Sequence, residues 1–392
     1  MPAARCSIIH VITRLILGGA QENTLASVLG LREDPGFEVS LISGPTLGPE
    51  GSLEPLAAAI PGLLTLVPSL IRPLHPWQDG RALIQLTRIF RQRRPSVVHT
   101  HSGKAGFLGR LAARHAAVPV IVHTIHGPSF GPFQGSIPNL IFRTAERLVG
   151  RYTDHFVVVA EAMRDLYRSA GIGQPAQYTR VFSGFTLDPF LRAAPDPVLQ
   201  SRLGIEAGDC VVGMIARLFR LKGHDDLLEA APELLRRCPR LRFLLIGDGA
   251  WKSRLAAKAR QLGVHQRVIF AGLVPPEAIP AHLALMDLLV HLSRREGLPR
   301  ALPQALATGR PVIAYDCDGA REVCRPGESG FLVNPGDRAA LIDAVLCLAG
   351  DPALRQQLGA QGQAMVRERF PVERMVRDLA CLYRRLTGGD CS

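Results

Sequence analysis

Apolar residues in this chain alternate between short continuous runs and helical spacing, and the alternation occurs twice. Residues 7–13, 38–43, 96–100, 118–124 and 156–160 are aliphatic-rich runs of strand length, the pattern of strands buried on both faces. Between them, residues 20–31, 82–90, a stretch after Gly103 and 137–149 place apolar side chains at the spacing of one helix face. From 185 to 208 the chain becomes turn-rich, with Asp188-Pro189, Pro195, Asp196-Pro197, Gly204 and Gly208, which predicts a linker. Strand runs then restart at 211–215, 242–246, 268–270, 288–292 and 312–314, with helical segments between them and a last helix over 372–386. Such alternation predicts the α/β class: two Rossmann-like, doubly wound parallel-sheet domains facing across a cleft, at 1–190 and 191–370, followed by a terminal segment at 371–392.

Length agrees, since 392 residues exceed one ordinary core. The longest apolar stretch, 281–292, is interrupted by His282 and Asp287 and is too short to cross a bilayer. No signal-peptide layout precedes the first strand run, and eight scattered cysteines show no CxxC spacing, so a cytoplasmic protein with reduced thiols is expected. A net charge of +12 favours anionic partners. Nucleic acid is not expected among them, because only 6% of residues are aromatic and no aromatic-studded basic platform is present. Residues 82–90 are followed by Arg91, Arg93 and Arg94, and 141–151 include Arg143, Arg147 and Arg151. These segments read either as basic amphipathic helices against an anionic membrane or as surface helices packed on their own sheet.

Ligands of open α/β sheets bind beyond the carboxyl ends of the strands, so chemistry is sought directly after each run. Arg217 and then Lys222-Gly223 follow 211–215, two cations and a glycine turn suited to a diphosphate. After 288–292 comes SRREGLPRALPQALATGRPVIAYDCDGAREV, in which Glu296 precedes a Gly-Leu-Pro turn and a helix expected to start at Pro299 or Arg300. Backbone N–H groups over 300–302 then face an anion. No metal motif accompanies these cations, and Asp316-Cys317-Asp318 reads as a turn. Gly18-Gly19 lacks the GxGxxG pattern and the second strand run ends in Ser43, which argues against a dinucleotide site. His99, His101, His123 and His126 lie near the ends of neighbouring strands without an acid or thiol at ligand spacing, so His99 and His101 read as loop-positioning residues.

The block from Ser293 to Val323 resembles the donor-sugar signature of the retaining glycosyltransferases of family 4, which have the GT-B fold. HTHSGKAGFLGRLAAR and IVHTIHG are similar to that family's first-domain pattern. The family signature is a Glu, seven residues and a second Glu; here the second position is Gln304. The resemblance implies a metal-independent, cofactor-free transfer of sugar from a nucleotide-diphosphate-sugar to the hydroxyl of a glycan or lipid-linked acceptor, in cell-surface polysaccharide or glycolipid assembly. It implies that Glu296 holds the sugar hydroxyls and that His126 faces the transferred sugar. Arg217 and Lys222 would grip the diphosphate, with backbone contact from Gly19. The backbone of Gly297, Leu298, Arg300, Ala301 and Leu302 would hold sugar and phosphate, Gln304 the ribose, and the backbone at Val274 the base. The last helix is expected to return to the first domain. Two rivals stay open at this point: a GT-B nucleotide-sugar epimerase, marked by acceptor-independent turnover, and a nucleotide-sugar-binding protein without transferase activity.

Overall fold

The computed structural model describes residues 5–48, 51–101 and 103–389, in two units. The first comprises Met1–Phe185 and Val372–Ser392. Its strands are β1 (Cys6–Ile12), β2 (Phe37–Ser43), β3 (Leu64–Leu66), β4 (Val97–His101), β5 (Val120–Ile125), β6 (His155–Val158) and β7 (Tyr178–Arg180). All pair in parallel in the order β3-β2-β1-β4-β5-β6-β7. The helices between them are α1 (Gly19–Arg32), α2 (Glu54–Ala58), α3 (Pro76–Arg93), α4 (Gly103–His115), α5 (Ser136–Gly150) and α6 (Glu161–Ser169).

The second unit, Thr186–Pro371, holds α7 (Asp188–Leu191), α8 (Pro197–Arg202), β8 (Cys210–Ile215), α9 (His224–Arg237), β9 (Leu241–Ile246), α10 (Lys252–Gln261) and β10 (Val268–Gly272). It continues with α11 (Ile279–Ala284), β11 (Leu288–His291), α12 (Ala301–Ala307), β12 (Val312–Tyr315), β13 (Gly330–Val333), α13 (Arg338–Gly350) and α14 (Pro352–Arg369). Its parallel sheet runs β10-β9-β8-β11-β12-β13. The division falls before α7 rather than at 190, because α7 packs on α11 and α12 and buries Phe190. The final helix, α15 (Val372–Leu386), packs on α1 in the first unit.

Each sheet is buried on both faces, which is why its central strands read as continuous apolar runs. In the first unit Ile8, Ile12, Val39 and Val97 meet Leu25, Val28 and Leu31 of α1 and Met375, Leu379 and Tyr383 of α15. The opposite face puts Ile9, Val11, Val98 and Ile121 against Leu86 and Phe90 of α3 and Leu108 and Ala112 of α4. Met375, Leu379 and Tyr383 recur every fourth residue, so one stripe of α15 is apolar and enters the core. The second sheet buries Val212, Met214, Phe243, Leu288 and Val290 against Leu227 and Leu234 of α9 and Leu341 and Val345 of α13. Three strands lie outside the runs predicted from the sequence: β3, β7 and β13, all at sheet edges and only three or four residues long. Among the described residues no helix is long and apolar enough to cross a membrane.

Candidate active site

In both sheets the strand order reverses once, between β1 and β4 and between β8 and β11, and a ligand crevice opens at the carboxyl end of such a point. In the second unit, the loops after β8 and β11 meet there. Arg294 N–H donates to Leu221 O at 2.8 Å, tying one loop to the other. Two left-handed positions flanking Lys222, Leu221 (φ 71°) and Gly223 (φ 81°), turn the first loop sharply into α9. The turn aims Lys222 at Glu296, and its Nζ bonds Glu296 Oε1. Ser293 Oγ lies 3.4 Å from the same ammonium and donates to Arg295 O at 3.0 Å. Both charged side chains keep about a fifth of their surface exposed, at 19% and 21%.

The acid is held from three sides. His291, buried at the end of β11, places Nε2 3.4 Å from Glu296 Oε1. Asp318 Oδ2 accepts the Glu296 backbone N–H at 2.7 Å. Burial raises the Glu296 pKa, but the Lys222 charge and the nearby His291 ring outweigh it and hold the carboxyl well below its usual range. Asp318 moves the other way: burial raises it, only partly opposed by the N–H it accepts.

The structure corrects the expected helix start. Pro299 and Arg300 precede α12, Arg300 serving as its N-cap, and Leu302 N–H turns back to Pro299 O at 3.3 Å. That N–H is therefore spent within the turn. Leu298, Ala301 and Leu302 bury their side chains in the fold, so only their backbone can face a ligand. Gly297 is buried and its carbonyl accepts the Gly319 N–H at 3.0 Å. Gln304 is half-buried on α12. Arg217, exposed after β8, lies over Phe219 at 5.4 Å, and Val274 is half-buried after β10. Gly19 is exposed as the first residue of α1.

Two residues escaped the sequence reading. Asp318 looked like an ordinary turn residue, yet it adopts φ 49° and clamps Glu296 across 22 positions. His291 closes a strand run and carried no motif. His99 and His101 also depart from expectation: both are buried within β4 rather than placing a loop, with His99 bonded to Tyr383 Oη at 2.5 Å. His126 follows β5, and its Nε2 lies 3.0 Å from His101 Nδ1. A separate cavity of about 390 Å³, between Asp287, Arg310, Pro311 and Arg355, sits at the opposite ends of β11 and β12 and contains none of these residues.

Residues 197–365 match the family of glycosyl transferases group 1, and residues 18–183 match the glycosyl transferase 4-like domain. The putative glycosyltransferase EpsD of Bacillus subtilis (strain 168) is 31% identical over 323 residues, covering 81% of this chain and 83% of that protein. The UDP-Gal:alpha-D-GlcNAc-diphosphoundecaprenol alpha-1,3-galactosyltransferase of Escherichia coli is 27% identical over 358 residues, 90% of each. Among solved structures, Anabaena Alr3699/HepE in complex with UDP and glucose superposes with a TM-score of 0.80 at 23% identity, over 95% of this chain and 98% of that one. The two parallel-sheet units define a GT-B fold. The chain belongs to the glycosyl transferases group 1 family and is a glycosyltransferase of the family-4 type.

Proposed function

We propose that this enzyme transfers a sugar from a nucleotide-diphosphate-sugar to an acceptor hydroxyl with retention of configuration and without a metal. The observation that carries the reading is the Lys222–Glu296 pair at the switch point of the second sheet, with Arg217 on the same strand end. A donor diphosphate takes over the Lys222 ammonium, and the sugar hydroxyls take over the freed carboxylate. Fixed cations then meet the charge that develops on the leaving diphosphate. Backbone from Gly297 to Leu302 borders sugar and phosphate, Gln304 the ribose, the backbone at Val274 the base, and Gly19 the diphosphate. In the first unit, His126 is the group assigned to the transferred sugar. The acceptor attacks from the side the diphosphate leaves, its proton passing to the departing phosphate oxygen. Among the described residues, the one cluster with metal-ligand spacing is His10, His99 and His101, in the other unit.

A lipid-linked acceptor in cell-surface polysaccharide or glycolipid assembly fits the Escherichia coli relative, whose name gives a diphosphoundecaprenol acceptor. It also fits a surface of the first unit. Helices α3, α4 and α5 form one layer, from which α5 exposes Ile137, Leu140 and Ile141 and α3 exposes Trp77 and Ile84. Exposed apolar side chains among arginines suit peripheral binding to the cytoplasmic face of an anionic membrane. Arg91, Arg93 and Arg147 spend donors on His115 O, Thr65 and Ala170 O but keep their charge.

The test is calorimetric titration with UDP, GDP and ADP, followed by transfer assays with the nucleotide-sugars of the base that binds, with and without EDTA. Binding of one diphosphate and chelator-resistant turnover is the expected result. Turnover abolished by EDTA and restored by magnesium sinks the cation-only mechanism. Liposome flotation tests the membrane: equal binding to neutral and anionic vesicles, or binding that survives Leu140→Asp, refutes that surface.

A further inference from the structure

The register of β1, β4 and β5 lines up five polar residues on one face of the first sheet. His10 pairs with His99, His101 pairs with Thr124, and His99/His101 and Thr124/His126 are each two residues apart. His123 and Thr100 lie on the other face, where they bond each other at 2.9 Å. Tyr383 of α15 closes the set. The distances run without a break: His126 Nε2 to His101 Nδ1 3.0 Å, His101 Nε2 to His10 Nδ1 2.9 Å, and His10 Nε2 to Tyr383 Oη 3.3 Å. Tyr383 Oη to His99 Nδ1 is 2.5 Å, and His99 Nε2 to Thr124 Oγ1 is 2.6 Å. The His10 and His101 rings are nearly parallel, 14° apart with centroids at 5.1 Å, and meet through nitrogens 2.9 Å apart. His10, His99, His101, Thr124 and Tyr383 are all buried.

Resting on the assignment of His126 to the transferred sugar, we propose that His101, His10, Tyr383, His99 and Thr124 are positioning residues that lock His126 as a neutral Nδ1–H donor. The argument is a count of hydrogens. A neutral imidazole carries one donor and one acceptor, so every link in the chain must point the same way. Burial lowers the pKa of His10 to about 3 and pushes His99 and His101 well below their usual value, which keeps these rings neutral. The Tyr383 oxygen could also accept from both His10 and His99, but its own buried hydrogen would then lack an acceptor, so two directions remain. If the links point toward Thr124, its hydroxyl accepts from His99 and its own hydrogen has no acceptor, because Thr124 makes no other hydrogen bond among the described residues. A buried hydroxyl hydrogen without an acceptor is unfavourable. If the links point away, Thr124 donates to His99 Nε2, His99 Nδ1–H to Tyr383, Tyr383 to His10 Nε2, His10 Nδ1–H to His101 Nε2, and His101 Nδ1–H to His126 Nε2. His126 then carries its proton on Nδ1. Half-buried and otherwise unbonded among the described residues, it offers that hydrogen to an oxygen of the bound sugar and cannot act as a base through Nε2.

The experiment is long-range ¹H–¹⁵N NMR on the full chain with ¹⁵N-labelled histidine, which reads each tautomer without substrate. The His126 signals, assigned by loss in His126→Gln, are expected to show a protonated Nδ1 and a bare Nε2. Tyr383→Phe removes one hydroxyl from the middle of the relay, and Thr124→Val removes the terminal donor. Either is expected to turn the single tautomer into a mixture and to lower kcat roughly 10–100-fold, as loss of a partner that orients a functional histidine does, with donor KM unchanged. Protonated Nε2 in the wild type, or an unchanged His126 tautomer in both variants, overturns the proposal. Stoichiometric divalent metal in the purified protein, lost on His10→Gln, overturns it in favour of a His10–His99–His101 metal site. If His126→Gln keeps full turnover while the tautomer result holds, the relay stands and the assignment of His126 to the sugar fails.

Discussion

Replacing Gly223 with alanine asks the loop that aims Lys222 to accept one carbon it has no room for. Gly223 sits at φ 81°, and a Cβ there falls 2.1 Å from Leu292 O and 2.3 Å from Leu292 Cβ. Ordinary contact begins at 3.4 Å, so the two loops must part by more than 1 Å, and the atom in the way is backbone. Left-handed alanine costs about 1–2 kcal/mol and overpacking about 1–3 kcal/mol more, giving roughly 2–5 kcal/mol in the second unit. Gly263 provides the control, with φ 71° and nothing within 4 Å of its Cβ. Gly263→Ala carries only the conformational cost. Urea unfolding of both variants should therefore show the larger loss for Gly223→Ala. Because Leu292 leads into Ser293 and Glu296, the displacement also separates the ion pair, and a misplacement of about 1 Å costs roughly 10²-fold in turnover. Calorimetry with the cognate nucleoside diphosphate should show weakened binding for Gly223→Ala and none of that loss for Gly263→Ala. Equal stability losses, or normal binding and kcat in Gly223→Ala, would refute the claim that this glycine sets the approach of the two loops.

Asp318→Asn should keep both the left-handed backbone and an acceptor for Glu296 N–H. Asp318→Ala loses both, and a KM for the donor that rises in Ala but not in Asn is the expected pattern. Glu296→Gln should damage turnover severely, whereas Gln304→Glu should change donor affinity by no more than about 1–2 kcal/mol, because it exchanges a neutral acceptor for a charged one; steady-state kinetics showing the reverse order would reassign the block. Stability of the first unit should change little between about pH 7 and 8 and fall as pH drops below 6.5. His10 and His126 have folded pKa values of about 3, and burial also depresses His99, His101 and His123, so in that window the unfolded chain binds protons that the folded one refuses. Each contributes up to about 1.4 kcal/mol per pH unit, and a urea midpoint unchanged between pH 7.5 and 5.5 would contradict it.

The alternation of apolar runs and helical spacing determined the architecture, because a strand covered on both faces has no polar positions to interrupt it. Lys222 and Glu296 were legible for a related reason: each follows a central strand, and chain order alone puts such residues at the carboxyl edge. Their support was not legible. Asp318 reaches Glu296 only because β11 and β12 are neighbours, and its left-handed turn leaves no mark that distinguishes it from any Asp-Gly turn. The edge strands β3, β7 and β13 hide because half-exposed runs of three or four residues have no period to detect. Histidine patterns were visible, but His123 and His126 stand three apart, and an odd spacing along an extended chain puts them on opposite faces. Which of the two joins His101, and that His10 and Tyr383 complete the row, depended on strand register and on where α15 packs. Both are set by contacts between residues distant in the chain: His10 and His101 are 91 positions apart, and His10 and Tyr383 are 373 apart. A local pattern carries no record of such a partner; only the packed core selects it.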